Sequence, residues 1–228
     1  MAHPELSGYH PMLNMNFSHS LAIPYDPSRW QSSPASGVSR YPLEREQAES
    51  GHVTSLVRFD ANSFFPEHTH PLGEEFWVLE GTFSDESGDY PAGAYVRNPP
   101  GSQHRSFTKE GCVIFVKLNQ FSPDDIKGLT VLPEQTLWLT AKQGYRRLPL
   151  HQHLGVHTSV LHFPEGGQFP ACCYKGGLEI LVLTGALQYA EQHYVALSWL
   201  RFAANSQPTL TLGPNTQLWV RTGHLAAD

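Results

Sequence analysis

The chain has 228 residues, of which 40% are hydrophobic and 16% charged, and it carries 19 Gly, 18 Pro, 3 Cys and a formal net charge of -6. Its 15 Lys and Arg are scattered and form no stripe that could neutralise phosphates, and its longest strongly apolar run, Leu178 to Leu183, is far shorter than the roughly 20 residues a membrane helix needs. Nucleic-acid and membrane partners are therefore not expected, and three cysteines cannot build a disulfide framework, so a cytoplasmic protein of one or two folded domains is.

Residues 1–29 show no clear period and carry Gly, Pro, Asn and Ser, so they read as an N-terminal arm without a secretion signal. From Trp30 onward, short runs of β-branched, aromatic and aliphatic residues alternate with turn residues, and no helix-forming stretch runs long without a break. Strands are predicted at Val53 to Phe59, Glu75 to Leu79, Ala94 to Arg97 and Cys112 to Leu118. Between them lie Glu80-Gly81, Ser87-Gly88-Asp89, Pro91-Ala92-Gly93 and Pro99-Pro100-Gly101, each able to reverse the chain. The composition predicts an all-β protein.

A shift of about 104 residues lays the chain over itself. Val53 to Phe59 falls on His157 to Phe163, Phe65-Pro66 on Phe169-Pro170, and Gly73, Glu75, Val78, Leu79 and Gly81 on Gly177, Glu179, Val182, Leu183 and Gly185. Tyr90, Arg97, Ser102 and Gln103 fall on Tyr194, Arg201, Ser206 and Gln207. Two similar β domains are thus predicted, at 30–120 and 138–228, joined by a linker at 121–137.

In the first domain, His68-Thr69-His70-Pro71-Leu72-Gly73-Glu74 places three potential ligands in a short span, and the period of a strand turns His68 and His70 to one face. His104 follows a Pro-Pro-Gly turn that can deliver it from a neighbouring strand. Three imidazoles and a carboxylate suit a borderline divalent ion: zinc, iron, nickel or manganese.

The spacing from His68 through His70 and Glu74 to Gly81, and that from Gly93 through Pro99 and Gly101 to His104, resemble the two cupin motifs, with only a trailing Asn missing near Thr108. The stretches His70-Pro71-Leu72-Gly73-Glu74-Glu75, Val78-Leu79-Glu80-Gly81, Phe83-Ser84-Asp85-Glu86, Tyr90-Pro91-Ala92-Gly93 and Arg97 to His104 resemble ChrR-like cupins, the sensory domains of anti-sigma factors. The resemblance implies two tandem jelly-roll β-barrels, a bicupin, with zinc on His68, His70, Glu74 and His104. The sigma-binding helical zinc domain of that family, with its His-x3-Cys-x2-Cys motif, has no counterpart in this sequence, so tight sigma-factor binding is not expected. Catalytic residues are not identified.

The repeat converts the four ligands to Cys172, Tyr174, Leu178 and Pro208 while keeping the framework around them, so the second domain is expected to be metal-free. Glu75 and Arg97 recur as Glu179 and Arg201, which argues for architecture rather than chemistry at both. His151 and His153 read as loop residues. Two functions stay open: a zinc-bound regulatory or stress-response protein that binds a small molecule, and a metal-dependent dioxygenase acting on a small aromatic or ketone substrate. Self-association is compatible with both.

Overall fold

The computed structural model describes residues 12–47, 50–141 and 143–225. Its elements are strands and two short 3-10 turns, and the chain divides into two compact units.

The first unit is built on a sheet ordered Leu129–Val131, Tyr95–Asn98, Glu74–Asp85, Cys112–Leu118, Val53–Phe59, Val38–Arg45, Gln31–Ser32. The 12-residue strand Glu74–Asp85 serves two layers. Its first half pairs with Tyr95–Asn98, and its second half leaves that sheet to pair with Gly88–Pro91 and touch Ser102–Phe107, which itself pairs with Phe64–His70. Gly81 makes this change of layer possible. It sits at φ +70 beside a register shift at Val113/Ile114, and a Cβ there would lie 2.0 Å from the Gly111 carbonyl oxygen. Alternation along Cys112–Leu118 sends Cys112, Ile114 and Val116 into the core between the layers, where they meet Phe76, Val78, Phe83 and Val96.

The second unit repeats this order strand for strand: Leu21–Ile23, Trp199–Phe202, Leu178–Thr184, Thr216–Thr222, Val156–Phe163, Arg146–His153, Leu139–Thr140. A four-stranded sheet of Gly167–Gln168, Thr211–Leu212, Ala186–Tyr189 and Gln192–Val195 forms its second layer. Its core holds Leu161, Phe163, Ile180, Val182, Leu200 and Leu218.

The segments expected to be an arm (1–29) and a linker (121–137) have a different arrangement. Residues 1–11 lie outside the described residues, but Leu21–Ile23 pairs antiparallel with Trp199–Phe202 and belongs to the second unit. Leu129–Val131 does the same for Tyr95–Asn98 of the first unit, which runs on to Pro133. Each of these three-residue strands covers the otherwise open edge of a sheet, and that is the physical reason they are ordered. Being so short, they carry too little alternation to read as strands from sequence.

The recurring Glu and Arg form a buried polar layer. In the first unit Arg97 donates to Glu75 at 3.3 Å and to Asp125 at 2.6 Å, and lies 4.0 Å over the Phe121 ring, while Tyr95 donates its hydroxyl to Glu75. In the second, Trp199 donates to Glu179 at 2.8 Å, and Arg201 donates to the Asn16 carbonyl at 2.9 Å and lies 4.7 Å over Phe17. In both units the arginine is held by the segment leading into the short edge strand.

Candidate metal centre

Two strands of one hairpin-like pair deliver the imidazoles. Phe64–His70 and Ser102–Phe107 run antiparallel with His68 directly opposite His104 and His70 opposite Ser102. Directly paired residues point to the same face, and period two places His70 on the face of His68. Glu74 then enters from the start of the adjacent long strand, after the turn closed by Gly73 at φ +79.

The result is a near-equilateral triangle of rings, with centroids 4.8 Å apart for His68–His70 and His70–His104 and 4.9 Å for His68–His104. Ligand atoms of His68, His70, Glu74 and His104 all lie within 4.8 Å of one another. Glu74 Oε2 is 3.6 Å from the Nε2 of both His70 and His104. At that separation neither contact is a hydrogen bond, and both buried Nε2 atoms have no hydrogen-bond partner. Two orphaned imidazole nitrogens beside a buried carboxylate would be costly for folding alone, whereas a divalent cation satisfies all of them. The donor set fits a metal, and the protein is metal-binding-capable at this cluster.

The outward nitrogens are all engaged. His104 Nδ1 meets Asp85 Oδ2 at 3.1 Å, His70 Nδ1 meets Ser102 Oγ at 3.2 Å and His68 Nδ1 meets the Pro66 carbonyl at 2.9 Å, while Asn98 donates to Glu74 at 2.9 Å. Such partners fix ring orientation and turn Nε2 toward the ion. Burial pulls His70 below the usual histidine range, against the pull of Glu74. For His104 burial acts the same way but is outweighed by Asp85 and Glu74, and the group lies above that range. Burial pulls the Asp85 carboxyl upward, yet hydrogen bonds from His104, the Ser87 N–H and Tyr90 hold it low, so it stays an anion behind the ring.

The four predicted ligands are thus brought together, whereas Asp85, Asn98 and Ser102 had no role assigned from sequence. They lie within the motif stretches, but nothing in a sequence says which side chain will back which ligand. Thr108, near the missing Asn, ties the fold by donating to the Thr82 carbonyl at 2.8 Å. Cys112 is buried, and its thiol is pushed up to about 12 by burial, so it is inert core.

In the second unit the equivalents hold no such cluster among the described residues. Tyr174 donates to the Pro170 carbonyl at 2.8 Å, Leu178 is fully buried core, and Cys172 and Cys173 are exposed. His151 and His153 lie on the strand Arg146–His153, not in a loop, because a register shift at Pro149/His151 lets that strand continue past its proline.

The four clustered side chains also line a cavity of ≈ 340 Å³ inside the first unit. Phe65 and Phe83 form part of its wall, with Val57, Phe59, Ile114 and Val116. Phe76 belongs to the same core cluster but is not part of the wall.

The family model for the ChrR cupin-like domain matches the chain twice, at residues 18–122 and 127–226. Each match begins ahead of one of the short edge strands, Leu21–Ile23 and Leu129–Val131. No curated protein sequence matches the chain. Among solved structures, the chain is similar to Ylba from E. coli (TM-score 0.70, 13% identity, 93% of this chain and 94% of that chain covered). It is also similar to the bacterial pirin YhhW in complex with nickel(II) from Escherichia coli (0.66, 12%, 90% and 98%) and to a cupin 2 conserved barrel domain protein from Leptotrichia buccalis (0.59, 10%, 93% and 99%). At these identities the structural likeness establishes the fold. With two family repeats, a doubled jelly-roll architecture and a His/Glu cluster in the first of them, the chain belongs to the ChrR cupin-like family as a bicupin.

Proposed function

We propose that the protein holds one divalent metal, zinc, on His68, His70, Glu74 and His104, and works as a regulatory protein that binds a small molecule beside that metal. The observation that carries this reading is the convergence of two partnerless buried Nε2 atoms on Glu74 at the wall of a ≈ 340 Å³ cavity. Zinc is satisfied by four N and O ligands, and when bound it supplies a fixed positive charge and a Lewis acid. The chain's own residues do the rest. Asp85 and Ser102 hold two of the rings, Asn98 holds the carboxylate, and the apolar wall excludes water from the body of a bound molecule.

Binding rather than turnover is supported by the cavity's polar inventory. Glu74 is its one carboxylate and is a ligand, and its three histidines are ligands too, so no further acid or base is aimed at a bound molecule among the described residues. A second reading, a metal-dependent dioxygenase with iron on the same residues, is favoured by the ligands facing the cavity instead of being sealed from it. Metal analysis combined with oxygen uptake separates the two. Zinc near one per chain without oxygen consumption supports binding, whereas iron with substrate-dependent oxygen uptake supports the enzyme.

A further inference from the structure

The strand Val53–Phe59 contributes Val53, Ser55, Val57 and Phe59 to the cavity of the first unit. Period two accounts for this row, because odd-numbered side chains face inward while Thr54 faces the other way and donates to Glu44 at 2.6 Å. Ser55 is the one polar member of the row. The residue is 1% exposed, and its hydroxyl has no hydrogen-bond partner. Its neighbours across the sheet explain why: Val116 lies opposite on one side and Pro42 on the other, and neither side chain can bond to a hydroxyl. An ion on the metal cluster would satisfy the orphaned nitrogens of His70 and His104, but Ser55 stands on a strand of the other layer. A buried hydroxyl left unpaired is costly, so it calls for a partner from outside the chain.

The second unit gives an internal comparison. Under the 104-residue shift Ser55 falls on Ser159, so the hydroxyl itself belongs to the framework. The difference lies at Ser106. This buried serine follows His104 by two residues on the same face of Ser102–Phe107 and lines the cavity. The second unit carries Leu210 at that position, 1% exposed and part of its packed core. A leucine fills room that a serine leaves open. The unit with the His/Glu cluster thus keeps room beside it, and the unit without the cluster fills the same position.

We infer that the cavity of the first unit takes a one-ring molecule with an oxygen function at each end, one reaching the metal cluster and the other, uncharged, bonded to Ser55. This rests on the proposed reading of the site as one that binds a small molecule beside a metal, but the bond to Ser55 does not pass through the ion. The end on Ser55 is a hydroxyl or a carbonyl because Val53, Val57 and Val116 flank it, and a charge there would exchange its water for a single hydroxyl. Arg40 and Arg45 also line the cavity but already have partners within the protein. Phe59, Phe65 and Phe83 offer aromatic surface to the ring, and ≈ 340 Å³ lies at the small end of ligand pockets.

The test is calorimetric titration of the full chain with 1,3- and 1,4-benzenedimethanol against 3- and 4-methylbenzyl alcohol, each of which lacks one hydroxyl of the matching diol. Metal content is measured on the same samples, and circular dichroism checks the folding of each variant. At least one diol is expected to bind about fivefold or more tightly than its one-hydroxyl counterpart. In Ser55→Ala that ratio is expected to fall to about one or below, with metal content unchanged. If Ser55→Ala does not fold, Ser55→Cys, which keeps the shape and bonds weakly, takes its place. No binding of any of the four, no diol ahead of its counterpart, or a preference that survives the loss of the hydroxyl would overturn the inference. Absence of metal from the purified chain would sink the metal reading alone, because the ratio of diol to counterpart still reads Ser55.

Discussion

Asp85 Oδ2 accepts a hydrogen bond from His104 Nδ1 at 3.1 Å, and this one contact fixes which nitrogen of His104 faces Glu74. Asp85 is held in turn by the Ser87 N–H at 2.8 Å and the Tyr90 hydroxyl at 3.1 Å. Replacing Asp85 with Asn keeps the shape but removes the charge that favours the Nε2-facing tautomer. Asp85→Asn is expected to weaken metal affinity about 10- to 100-fold with the fold retained. A competitive chelator titration beside a thermal melt measures both, and unchanged affinity would remove Asp85 from the site.

Arg97 and Asp125 are both buried, 2.6 Å apart, and Asp125 lies in the segment leading to the edge strand Leu129–Val131. Truncating one partner of a buried pair strands the other, at a cost of about 3 to 5 kcal/mol. Glu75 remains on Arg97, so Asp125→Ala is expected near the lower end, about 3 kcal/mol. Denaturant unfolding reads this directly. A loss below about 0.5 kcal/mol would mean the segment contributes no more than an ordinary surface site.

Gly81 and Gly101 both sit at positive φ, +70 and +80, but only at Gly81 does an added Cβ meet backbone, 2.0 Å from the Gly111 oxygen. Gly101 has open space. Gly101→Ala should therefore cost only the strain of a left-handed alanine, about 1 kcal/mol, whereas Gly81→Ala should cost about 3 kcal/mol or prevent folding. Paired unfolding curves check the order, and equal losses would show that the layer change does not depend on Gly81.

Much of this was readable in advance. The strands at Val53–Phe59 and Cys112–Leu118 have the bounds their alternation predicts, and the 104-residue repeat corresponds to one sheet order built twice. The clustering of His68, His70 and His104 is legible because side chains on paired strands obey period two. Asp85, Asn98 and Asp125 were not, since their roles depend on contacts across the fold that no local period encodes. Leu21–Ile23 and Leu129–Val131 are not legible as strands, because three residues cannot establish a period.

One metal should be held in the first unit and none in the second. Elemental analysis of the full chain, purified without added metal, tests it against His104→Ala prepared the same way. Close to one divalent ion per chain is expected in the wild type, zinc foremost, and a small residual fraction in His104→Ala, because one of four proposed ligands is gone and affinity falls by orders of magnitude. Two ions per chain, no metal in the wild type, or full occupancy in His104→Ala would contradict it.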